Sequence, residues 1–149
     1  MSISFTLLYA ELHTQNTPHY KLNDFIYETP TSQGIKIPKG TKLIIIAFEK
    51  EIGVLINDYL DTQGALYLQE HKSIFIVDAH KMPKFIINMV ALPKLQKYKH
   101  PIYLYYGNEI EATIPKKEAK ATLLYIEDEK IKEIKYIHTK EELKMAIER

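Results

Sequence analysis

The chain has 149 residues, 46% hydrophobic and 26% charged, with 20 Lys and Arg against 19 Asp and Glu, six His and no Cys. That length suits a single domain with a core of its own, and the near-neutral balance gives no electrostatic pull toward nucleic acid or anionic lipid. The missing cysteine excludes disulfides, thiolate zinc sites, iron–sulfur clusters and a cysteine nucleophile.

Met1 to Ala10 reads MSISFTLLYA and carries no charge. Ile3, Phe5, Leu7 and Leu8 match the apolar middle of a secretory signal and Ala10 its small cleavage residue, while the basic start is missing. We read residues 1–10 as the end of a longer signal peptide, cleaved near Ala10, whose true start codon lies upstream of Met1. The chain is then exported, periplasmic in a bacterium, and cytoplasmic if that reading fails. The alternative is a first edge strand, because Ile3-Ser4-Phe5-Thr6-Leu7 alternates with period two. Residues 11–20 read as a flexible lead-in and 21–149 as the domain. No stretch approaches the roughly 20 apolar residues of a membrane-spanning helix.

Along the domain, turn signals fall at Pro30 to Gly34 and at Pro38-Lys39-Gly40. Leu43-Ile44-Ile45-Ile46-Ala47-Phe48 is a continuous apolar run, the pattern of a strand buried on both faces. Gly53 to Leu60 then spaces Val54, Leu55 and Tyr59, with Ile52, as one side of a helix, and Tyr67-Leu68 extends it or packs the loop that follows. Ser73-Ile74-Phe75-Ile76-Val77-Asp78 is a second buried strand. Pro83 suits the first turn of a helix, and Phe85, Ile86, Met89, Val90 and Leu92 follow at a 3–4 period until Pro93 ends or kinks it. Pro101 to Tyr106 is a third strand, turned by Gly107-Asn108 into a further strand at Ile110 to Ile114. Ala121 to Ile126 and Ile131 to Ile137 form a hairpin, and Thr139-Lys140-Glu141-Glu142 has the form of a capping box that opens a last helix. The alternation predicts a three-layer α/β/α sandwich with a mixed central sheet.

That order of elements resembles thioredoxin-like proteins of the peroxiredoxin and thiol-reductase branch. Leu22 to Lys42, with its Gln33-Gly34 turn, is similar to their opening hairpin. Ile102 to Ile110 is similar to their strand, turn, glycine, strand segment, and Lys120 to Ile131 to their penultimate hairpin. The runs Ile46-Ala47-Phe48-Glu49-Lys50, Asp78-Ala79-His80-Lys81-Met82-Pro83 and Ala91-Leu92-Pro93-Lys94 resemble a small group of uncharacterised proteobacterial proteins. The resemblance implies a reactive cysteine in the loop after the first central strand, often as C-x-x-C at a helix N-terminus, where the helix end lowers a thiol pKa. This chain has Phe48-Glu49-Lys50-Glu51-Ile52-Gly53 there instead. The resemblance also implies a cis-proline before the penultimate strand, and the corresponding residue here is Ala121. Losing both features argues against thiol–disulfide exchange and peroxide reduction.

Of the remaining constellations, Glu49-Lys50-Glu51 offers a lysine between carboxylates, or an ordinary solvated loop with Glu51 near a helix N-terminus. Asp78 and His80 end the second buried strand, where open α/β sheets place ligands. They supply two metal-type donors, but no third partner follows from spacing, so no metal or other cofactor is expected. The His residues make no H-x-x-x-H or H-E-x-x-H pair, and neither a G-x-S-x-G nor a G-x-G-x-x-G occurs. Tyr98, Tyr103, Tyr105 and Tyr106 near Lys97, Lys99 and His100 have the look of a base-stacking surface. Alternating tyrosine is equally strand chemistry, and the neutral charge opposes nucleic acid.

The reading is a non-redox thioredoxin-like domain that binds a protein or peptide partner through the face that in redox relatives holds the thiols. Its candidate residues are Glu49, Lys50, Glu51, Asp78, His80, Lys81 and Ala121. The alternative is an enzyme of another class using a metal or small molecule at the same face. A homodimer through an exposed strand edge is a further possibility.

Overall fold

The computed structural model describes residues 21–149; the expectations for residues 1–10 and 11–20 lie outside the described residues. After a 3-10 turn at Lys21–Asp24 come β1 (Tyr27–Glu28), β2 (Gly34–Ile35), β3 (Leu43–Ala47), α1 (Lys50–Asp61), α2 (Tyr67–Glu70) and β4 (Ser73–Asp78). Then follow α3 (Lys84–Ile86), a π-helical stretch (Ile87–Ala91), α4 (Leu92–Leu95), β5 (Tyr103–Tyr105), α5 (Glu109–Thr113), β6 (Ala121–Glu127), β7 (Lys130–Ile137) and α6 (Lys140–Ile147). The strands form one sheet in the order β2-β1-β5-β4-β3-β6-β7. β3 is parallel to β4, and β4 to β5, while β6 and β1 join antiparallel. This is the mixed sheet of an α/β/α sandwich that the alternation predicts.

The apolar runs become central strands because both sides of them are covered. All five residues of β3 are buried. One face (Leu43, Ile45, Ala47, Phe75, Leu104, Leu123) packs on α1, α2, α6 and the π-helical stretch. The other (Ile44, Ile46, Ile74, Ile76, Tyr103, Tyr105) packs on Leu22, Tyr27 and the two isoleucines of the α5 region, Ile110 and Ile114. Tyr103 and Tyr105 are therefore core residues, edge-on or tilted against Tyr27, and offer no stacking surface. α1 buries Ile52, Ile56, Tyr59 and Leu60 and gives way at Gly64, whose φ of +94° suits glycine. At the start of α6 the Thr139 hydroxyl accepts from the Glu142 N–H (3.1 Å), as its capping-box sequence predicts.

Three elements depart from the sequence reading. α1 turns Ile56 and Leu60 inward and leaves Val54 exposed. Ile110 to Ile114 is the helix α5 and its C-terminal boundary residue, not a strand. Ile110 and Ile114 are four apart and both buried, which is a helical repeat; over five residues it is hard to tell from alternation. The apolar face of residues 84–95 also differs. Pro93 has no N–H to give to the carbonyl of Met89, and the preceding turn widens into the π-helical form. Ile87 and Leu92, five apart, turn inward. Phe85 (63% exposed), Met89 (77%) and Val90 (56%), spaced for an ordinary helix, are left facing solvent.

Candidate functional site

The parallel strands β3, β4 and β5 end on one side of the molecule, and the candidate residues gather there. β4 points Ile74 and Ile76 into the α5 side of the core, so the alternation carries Asp78 to the same side. Its side chain is only 2% exposed. A buried carboxylate needs compensation, and Asp78 Oδ1 receives it from its neighbour two residues on. The His80 backbone N–H donates to Oδ1 at 3.2 Å, and His80 Nδ1 lies 2.7 Å from it. The other oxygen, Oδ2, is buried without a hydrogen-bond partner among the described residues.

The tertiary fold supplies the third group that spacing does not. Being helical, α5 stands over the end of β4 and sets Glu111 Oε2 2.7 Å from His80 Nε2. Lys81 Nζ is 2.6 Å from Glu111 Oε1, and Lys116 pairs with the same oxygen. These two ammonium groups hold the Glu111 carboxyl down at about 2. Lys116 also lies over the Phe48 ring, 5.6 Å from its centroid. The segment after α5 is pinned by the Thr122 hydroxyl, which donates to the Pro115 carbonyl at 2.8 Å.

Glu49, Lys50 and Glu51 do not join this cluster. Lys50 and Glu51 open α1 and are exposed. Glu49 reaches across to the loop before β6, where its Oε2 accepts the N–H of Ala119 at 2.6 Å. Ala119 has a left-handed φ of +59°, and no peptide bond among the described residues is cis. Ala121 is fully buried at the start of β6, paired with Ile137. Thus the loop after β3 and the loop before β6 are tied together by one carboxylate. Glu49→Ala is expected to free the Ala119 amide, raising its hydrogen-exchange rate in NMR. The same change costs about 0.5–1.5 kcal/mol, because the freed amide is rehydrated.

Beside His80 a cleft of about 390 Å³ opens between the β1–β2 hairpin and the 84–95 helical segment. Glu28, Ser32, His80, Met82, Asn88 and Tyr106 are among its lining residues. The Gln96 side-chain amide donates to the Pro30 carbonyl at 2.9 Å, which holds hairpin and helical segment at this spacing. Sequence reasoning singled out His80 as a site residue and Tyr106 only as part of a stacking surface; it did not bring the two together with Glu28, Ser32 or Asn88, which come from distant segments.

No protein-family model and no curated protein sequence matches the chain. Solved structures do. StoA from Bacillus subtilis superposes with a TM-score of 0.53 at 18% identity, over 81% of this chain and 93% of that one. A SCO1/SenC family lipoprotein from Bacillus anthracis gives 0.52 at 11% identity, over 84% and 91%. The exposed lipoprotein thioredoxin Etrx1 from Streptococcus pneumoniae gives 0.54 at 10% identity, over 83% and 97%. The fold is thioredoxin-like. With no cysteine anywhere in the sequence, this thioredoxin-like chain cannot run thiol chemistry, which needs a thiolate as its nucleophile.

Proposed function

We propose that the chain is an exported, non-redox thioredoxin-like binding module that takes a protein or peptide segment at the C-terminal ends of β3, β4 and β5. One observation carries this reading. The loop that bears the thiol in redox relatives is spent on an internal tie, Glu49 to Ala119, while the cleft beside His80 stays open and mixes polar with apolar lining. The exposed Phe85, Met89 and Val90 extend the apolar surface next to it, and such patches mark interaction surfaces. A partner at the strand ends is favoured over a second copy joined edge to edge. β2 has two residues, and β7 carries Lys130, Lys132 and Lys135; short and lysine-rich edges oppose strand-to-strand pairing.

Export rests on the signal-like residues 1–10, and it is supported by two lipoproteins among the fold neighbours. No helix among the described residues is long and apolar enough to cross a membrane. The proteobacterial resemblance of the Ile46–Lys50, Asp78–Pro83 and Ala91–Lys94 runs would make the compartment the periplasm.

The reading is tested by selecting peptides against the full chain from a displayed library and mapping the winner by NMR. Shifts should centre on Glu28, Ser32, His80, Asn88 and Tyr106, and His80→Ala should weaken binding about tenfold or more, a loss of about 1.4 kcal/mol. Shifts confined to β7 or α1, or capture unchanged in both Lys50→Ala and His80→Ala, would overturn it.

A further inference from the structure

We propose that Asp78, His80 and Glu111 form a binding site for a divalent transition-metal ion of the zinc class. The proposal does not rest on peptide capture at the cleft. One carboxylate oxygen from each acid and one ring nitrogen of His80 lie within 4.8 Å of one another. Asp78 lies at one ring nitrogen of His80 and Glu111 at the other, so two carboxylates crowd one imidazole, and a dication held by donors from all three residues would offset their charge. Lys81 and Lys116 offset this charge, and of the two carboxylates it is Glu111 that both of them pair with directly.

The independent sign of a ligand is Asp78. Its side chain lies at the inward position of β4, almost wholly buried, and both of its hydrogen bonds fall on Oδ1. Oδ2 is equally buried and receives none among the described residues. Buried carboxylate oxygens are normally hydrogen-bonded or bound to a metal.

One imidazole nitrogen with two carboxylate oxygens suits zinc, cobalt, nickel or manganese better than calcium or magnesium, which prefer oxygen alone. Zinc–nitrogen and zinc–oxygen bonds of about 2.0–2.2 Å place tetrahedral donors about 3.4 Å apart. His80 Nε2 and Glu111 Oε2, now 2.7 Å apart, therefore need to part by less than about an ångström to take an ion between them. Three protein donors leave a fourth position for water or for a group held in the cleft that His80 also lines. The ion competes with Lys81 and Lys116 for Glu111, which weakens its affinity.

The test uses the full chain stripped with chelator, titrated with Zn²⁺ by calorimetry and with Co²⁺ by visible absorption. One equivalent should bind, with cobalt d–d bands in the visible. Asp78→Asn, His80→Gln and Glu111→Gln should each weaken binding about tenfold or more. Circular dichroism should show all three folded; His80 is partly exposed, so its variant keeps the test decisive if a carboxylate variant unfolds. The double variant His13→Gln/His19→Gln should bind as the parent does. No saturable binding at about 1 mM metal, full binding retained in His80→Gln, or loss in the His13/His19 variant would each overturn the site.

Discussion

Ile110→Ala is expected to cost about 2–5 kcal/mol of folding stability, read as a lower urea midpoint at unchanged slope. Ile110 is fully buried against Ile44, Ile46, Ile74 and Ile76 from the middle of the sheet, so truncating it leaves a cavity under α5. That helix has five residues and none of the length that would let it stand alone. Its docking comes from Ile110 and Ile114, and its next residue, Glu111, is the one that reaches His80. A second effect therefore accompanies the lost stability: metal binding at Asp78 and His80 should weaken in Ile110→Ala even where the protein remains folded. Ile110→Val, which removes one methylene, should cost about 0.5–1.5 kcal/mol and leave the ion in place. If Ile110→Ala loses stability but binds metal as the parent does, α5 does not position Glu111.

Asn57→Leu is expected to cost about 1–3 kcal/mol, because it strands a buried donor. His100 is buried before β5, and its Nε2 lies 2.8 Å from Asn57 Oδ1 on α1. With the amide oxygen accepting, the ring donates from Nε2. Burial lowers the His100 pKa below its ordinary 6.5, and nearby Asp61 offsets part of the effect. In the unfolded chain His100 takes up a proton as the pH falls through 6.5, while the folded protein takes it up only at lower pH. The unfolded state thus binds more protons in that window, and stability falls as the pH falls. Stability from this group is complete above pH 6.5 and declines from there down to the lowered folded value. Urea midpoints between pH 7.5 and 5 should show the decline in the parent and lack this component in His100→Gln. An identical pH profile in the two proteins would remove His100 as its source.

Much of the fold was legible because its determinants are local or repeat along the chain. Leu43 to Phe48 and Ile74 to Val77 are apolar at every position, the pattern of a strand covered on both faces, and both runs lie in central strands. Thr139 and Glu142 carry their cap in three residues. Where local signals were weak, tertiary packing chose. Ile110 and Ile114 fit a short strand or one turn of helix, and the apolar face of the sheet selected the helix. Phe85, Met89 and Val90 match a regular helix, but the missing donor of Pro93 widened the turn, and Ile87 joins the predicted Leu92 in the core in their place.

The candidate site divides along the same line. Asp78 and His80 are two residues apart at the end of a strand, so their pairing is a local fact and the sequence alone marks it. Glu111 is 33 positions beyond Asp78, on a helix the sequence does not announce. Its approach to His80 depends on where α5 docks, and its two lysines come from either side of it. Likewise Glu49 sits in the loop expected to carry chemistry, yet only the folded chain shows its carboxylate closed onto Ala119. By itself the sequence determined the absence of thiol chemistry, since composition is independent of folding. Only the tertiary structure decided which charged side chains meet, because contacts between distant residues are set by the packing of whole elements and leave no spacing to read.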